Sequence, residues 1–117
     1  MTEPYTNSKR FNELVDTMIA EEKECMKCKG AEYTISSDDR LANFKAIAKE
    51  IDVPLLKVWY VYAYKHWASI SNYVKVGEIK STEPIEGRIM DLRNYLALGR
   101  AIIEEERHIT ENDFQGD

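Results

Sequence analysis

Between Pro54 and Gly77 the chain reads PLLKVWYVYAYKHWASISNYVKVG, and no other stretch restricts the fold as strongly. Leu55, Val58, Trp59, Tyr62, His66, Ile70 and Tyr73 recur as one helical face, while Tyr60, Tyr64, Trp67 and Val74 make a second. A helix that is apolar on two sides needs cover on both. In a chain of 117 residues the second cover is expected from a neighbouring subunit, with Tyr60, Tyr64 and Trp67 at the interface, because Tyr and Trp are enriched at such surfaces. Taken alone, VWYVYAY has the β-branched and aromatic content of a strand. The helical spacing continues through His66, Ile70, Tyr73 and Val74, well past the ~5–6 residues of a usual strand. A helix is therefore expected from Pro54 in its first turn to a stop at Gly77.

Three further helices fit around it. Asn7 or Ser8 can cap a first helix carrying Phe11, Leu14, Val15, Met18, Ile19, Cys25 and Met26 on one stripe, and Gly30 is expected to end it. Asp38 or Asp39 can cap a short second helix over 40–51, with Leu41, Phe44, Ile47 and Ala48 inward. The fourth is expected to begin at Pro84 and to face its neighbours through Ile85, Ile89, Leu92, Leu96, Gly99 and Ile103, fraying in EEERH before a loosely docked acidic tail over 109–117. Only five Gly and three Pro interrupt the chain, and it shows neither repeat nor linker. The expected fold is all-α: a single-domain four-helix bundle over 1–117, its core within about 7–108.

Composition narrows the function classes. A net charge of -5 without a Lys/Arg cluster speaks against general nucleic-acid binding or an anionic membrane surface. The CxxC of Cys25 and Cys28 lacks both the second ligand pair of a zinc site and the preceding strand of a thioredoxin-like motif. With no apolar run near ~18 residues and no apolar leader, a soluble cytoplasmic protein with reduced thiols is expected.

Residues able to carry chemistry gather in three places. Asp91, Asn94 and Tyr95 share a flank of the fourth helix, with Gly87 and Arg88 one turn earlier; the plain alternative is that Asp91 pairs with a cation and Asn94 with backbone. Lys65 and His66 stand mid-way along the aromatic helix, where burial of a charge demands a carboxylate or a phosphate. KGAEYTISSDDRLANF places Lys29, Glu32, Tyr33 and Asn43 around a helix start, suited to an anion or, equally, an ordinary capped connection. Glu21 with Glu24, and Glu83 with Glu86, repeat an ExxE spacing that suits magnesium as well as a solvated face.

In order, Lys29-x-x-Glu32-Tyr33, Asn43-Phe44, Lys65, Glu83-x-x-Glu86 and Asp91-x-x-Asn94-Tyr95 resemble small phage-encoded proteins at or near the MazG-like all-α nucleotide pyrophosphohydrolases, including the nucleotide-modification-associated domains. The match spans more than half of the chain, and the ordered set carries more weight than any single element. The resemblance implies an oligomeric helical bundle that handles nucleotides. It implies magnesium held by Glu21, Glu24 and Asp91, phosphate contacted by Lys29 or Lys65, and triphosphate cleavage by activated water. That superfamily usually carries ExxD on the later helix, whereas Arg88 stands three before Asp91, which favours a binding protein that sequesters a host nucleotide signal or engages a host protein.

Overall fold

A computed structural model describes residue 4 and residues 7–33, 39–77 and 83–115, with backbone alone for 28–33 and 109–115. Among the described residues it has four helices and no strand: α1 Ser8–Tyr33, α2 Ala42–Ile51, α3 Leu55–Val76 and α4 Ile85–Gln115. The all-α expectation holds. Among the described residues no helix is long and apolar enough to cross a membrane.

Local chemistry sets most helix ends. Asn7 caps α1, its Oδ1 accepting from the amides of Lys9 and Arg10 at 3.1 and 3.3 Å. Before α2, Asp39 Oδ1 accepts the Leu41 amide at 2.8 Å, and Asp52 closes the helix with a left-handed φ of 55°. Pro54 opens α3, and Gly77 ends it at φ 81°, donating its amide to the Tyr73 carbonyl at 2.7 Å.

Two expected ends are corrected. Gly30 does not stop α1, which runs three residues further to Tyr33. A glycine inside a helix costs only ~1 kcal/mol against alanine, and the left-handed turn that makes it a stop has not formed. EEERH is not the end of α4 either: the backbone stays helical to Gln115, with no Gly or Pro between Glu104 and Gln115 to stop it.

α3 and α4 form the principal pair, with α2 packed on α3 and α1 on α4. The core cluster is Leu41, Phe44, Val58 and the fully buried Ile102, with Trp59, Tyr95 and Leu98 packed against it. Ring contacts from Phe44 to Tyr62 and Tyr95, with centroids 5.5 and 6.0 Å apart, tie α2 to α3 and α4. Trp59 of α3 packs directly on Gly99 of α4: a Cβ there would collide with its indole. The indole lies across the missing side chain and donates from Nε1 to the Tyr95 carbonyl at 2.6 Å.

Here the expected inward stripe of α4 also needs correction. Ile89 and Leu96 are exposed, Gly99 is buried as expected, and the covered set also takes in Asp91, Asn94, Tyr95, Leu98 and Ile102. Both sets have helical spacing, so periodicity alone does not choose between them; they share the flank at Gly99, which is buried under Trp59, and part at Ile89 and Leu96.

At the other edge of the α2–α3–α4 layer, Lys45 bridges Asp39 at 2.7 Å and Glu105 at 2.9 Å, fastening the entry of α2 to α4. The Lys45 ammonium and the Leu41 amide hold the Asp39 carboxyl below its usual range, and the two carboxylates raise Lys45.

Candidate functional site

Asp91 and Asn94 are the buried polar side chains among the described residues, 9% and 6% exposed. Three residues apart on α4, both face the covered side of the bundle. His66 of α3 approaches Asp91, Nδ1 to Oδ2, at 3.9 Å, outside direct hydrogen-bond reach. Its ring packs on Tyr95 with centroids 4.6 Å apart. Aromatic contact thus runs from the core at Phe44 through Tyr95 to His66, where the carboxylate begins a polar seam.

On the α1 side, Asn94 Nδ2 donates to Cys25 Sγ at 3.3 Å, and Arg93 reaches Glu22 at 2.9 Å. The Asn94 carbonyl oxygen is buried with no hydrogen-bond partner among the described residues. A buried acceptor of this kind is costly and uncommon in folded proteins, which makes it the most informative atom of the seam.

Of the residues expected to form a site, His66, Asp91, Asn94 and Tyr95 are therefore brought together by α3 and α4. Lys65 and Asn43 occupy exposed positions. Lys29, Glu32 and Tyr33 belong to the last turns of α1, not to a loop, and their side chains lie outside the described residues. Glu21 and Glu24 are exposed on α1. Among the described residues no three His, Cys, Asp or Glu side chains are grouped as a metal ion would require, so Glu21, Glu24 and Asp91 are not assembled as a ligand set. Arg88 lies 3.6 Å from Glu83, Nε to Oε2.

Sequence reasoning missed three partners. Cys25, expected on the apolar stripe of α1, also takes a hydrogen bond from Asn94. Trp59 was read as simple core and also donates to the chain beside the site. Glu22, next to the ExxE pair rather than in it, holds Arg93. A Gly four residues beyond Tyr95 was the one local sign that a large side chain comes close there.

Tyr60, Tyr64 and Trp67 point away from this seam, 60%, 57% and 53% exposed, with the Tyr60 and Tyr64 rings 6.1 Å apart. Comparison with protein-family models, curated proteins and solved structures finds no match to this chain.

Proposed function

We propose that this chain is one subunit of a homo-oligomeric, phage-type nucleotide-handling protein that retains a nucleotide or nucleotide-derived ligand at the His66–Asp91–Asn94–Tyr95 seam. The observation that carries the reading is the buried Asn94 oxygen beside a buried carboxylate. Both are acceptors, so they suit donor groups such as base amino groups, ring N–H groups and ribose hydroxyls. A phosphate would be repelled by Asp91 and needs a cation; Lys65, adjacent in sequence to His66 and exposed, is the residue to meet it.

Retention fits this seam better than turnover. Hydrolysis by magnesium would need carboxylates gathered around the ion, whereas Glu21 and Glu24 are exposed and Arg88 lies by Glu83. The exposed aromatic face of α3 also supports a second reading, in which the same protein engages a host protein through Tyr60, Tyr64 and Trp67.

Thermal shift and calorimetric titration with a panel of nucleotides, each with and without magnesium, test the proposal. Binding should raise Tm and be lost in Asn94→Leu with helical content unchanged. Phosphate release during the same incubations would convert retention into hydrolysis. Silence across the whole panel removes the nucleotide reading.

A further inference from the structure

The carboxamide of Asn94 is only half used. Nδ2 donates to Cys25 Sγ at 3.3 Å, while Oδ1 of the same group, on a residue 6% exposed, is buried with no hydrogen-bond partner among the described residues. Nitrogen and oxygen of an amide share one carbon, so whatever touches the first is close to the second. The orphaned acceptor therefore sits beside a sulfur. A donor carried by that sulfur would satisfy it and remove the cost of leaving a buried oxygen unpaired.

Cys25 is able to acquire one. It carries no disulfide and is partly exposed at the edge of the α1–α4 junction, in contrast to the sealed Ile102. One turn before it Glu22 holds Arg93 at 2.9 Å, so α1 and α4 are fastened beside the pair and the sulfur keeps its register with the carboxamide.

We infer that Cys25 is a site of reversible oxidation, at which hydrogen peroxide makes a sulfenic acid whose hydroxyl is held by Asn94 Oδ1. In the step, the sulfur attacks one peroxide oxygen, the S–O bond forms as the O–O bond breaks, and two electrons pass from sulfur to peroxide. The departing hydroxide takes the thiol proton and leaves as water. The product, S–O–H, has one donor, and Asn94 Oδ1 is the acceptor waiting for it. That hydrogen bond stabilises the sulfenic acid against a second attack on peroxide, which would carry it to the irreversible sulfinic acid. Reduced Cys25 leaves the acceptor open to a ligand; oxidised Cys25 occupies it. The oxidation itself needs no ligand, and only its effect on the seam rests on the proposed function.

The test uses the full chain with Cys28→Ser, treated with hydrogen peroxide, then with a cyclic 1,3-dione that captures sulfenic acids, and mapped by peptide mass so that methionine sulfoxides are counted apart. The adduct should fall on Cys25, and dithiothreitol given in place of the dione should restore the thiol. With Asn94→Leu added, the sulfenic acid should pass to sulfinic acid about fivefold faster, the worth of one hydrogen bond. If Asn94→Leu does not fold, Asn94→Ala gives the same comparison. A Cys25 that stays reduced while the methionines oxidise, or a sulfenic acid that lasts equally long with and without Asn94, overturns the inference. Titration of dATP, dGTP, dCTP and dTTP into both forms then reads the coupling: a nucleotide that binds the reduced chain should bind the oxidised one about fivefold more weakly or worse. Equal binding to both forms overturns the coupling, whereas binding to neither form counts against the proposed function and leaves the oxidation to be decided by the peptide masses.

Discussion

Where α4 meets α3, Trp59 lies across Gly99 and Ile102 is sealed from solvent; where α4 meets α1, Asn94 donates to a thiol and Arg93 reaches Glu22. One helix therefore serves two junctions built on different physics. Against α3 it relies on close packing, in which each missing methylene is felt. Against α1 it relies on polar contacts, whose net worth is small because water competes for the same groups. Binding residues can change at the second junction at little expense to the fold, and Asn94, whose carbonyl oxygen lacks a partner among the described residues, meets that junction through Cys25.

The contrast breaks first at Ile102. Ile102→Ala should destabilise the protein by about 2–5 kcal/mol in urea unfolding, because a fully buried side chain at the centre of the α3–α4 pair leaves a cavity. A loss below ~1 kcal/mol would mean that this junction is looser than its geometry implies.

At the polar junction the expectation reverses. Asn94→Leu removes the unsatisfied oxygen together with the amide that meets Cys25, and its stability should stay within about 1 kcal/mol of the parent or exceed it. A penalty of several kcal/mol would show that Asn94 holds the bundle together instead of serving a ligand.

The smallest effect sharpens the comparison at the edge of the α2–α3–α4 layer. Asp39 titrates below its ordinary value of 3.8 because of Lys45, so its contribution is complete above that value and is lost as pH falls through the lowered one. Lys45 is raised above 10.5, so its share is complete below that value and is lost only as pH rises through the raised one. With 37% and 39% of the two side chains exposed, the pair is worth under ~1 kcal/mol. Unfolding at pH 7 and pH 3 should differ by that much less in Lys45→Ala than in the parent; an equal difference would remove the bridge from the account.

How much of this was legible follows the same division. The ends of α3 could be read from Pro54 and Gly77, and the start of α1 from Asn7, because a cap depends on groups within one turn. The inward residues of α2 followed from their period, since no rival stripe exists on so short a helix. On α4 two stripes compete, and apolar counting favoured Ile89 and Leu96 over Asp91 and Asn94, which are buried. The packing of Tyr95, Leu98 and Ile102 on the core from the other helices sets the rotation of α4, and such long-range contacts leave no mark within one turn of sequence. The site was legible as residue types, in Asp91, Asn94, Tyr95 and His66. Its α1 partner was not, because a cysteine on an apolar stripe reads as a small hydrophobe.

The two tryptophans give the molecule optical reporters that need no label. Trp59 sits within the α3–α4 pair with its indole N–H engaged by a backbone carbonyl, and Trp67 looks outward from the same helix. Quencher access to the second should follow self-association, while the emission of the first should follow loss of the folded state, so a single fluorescence trace can separate dissociation from melting.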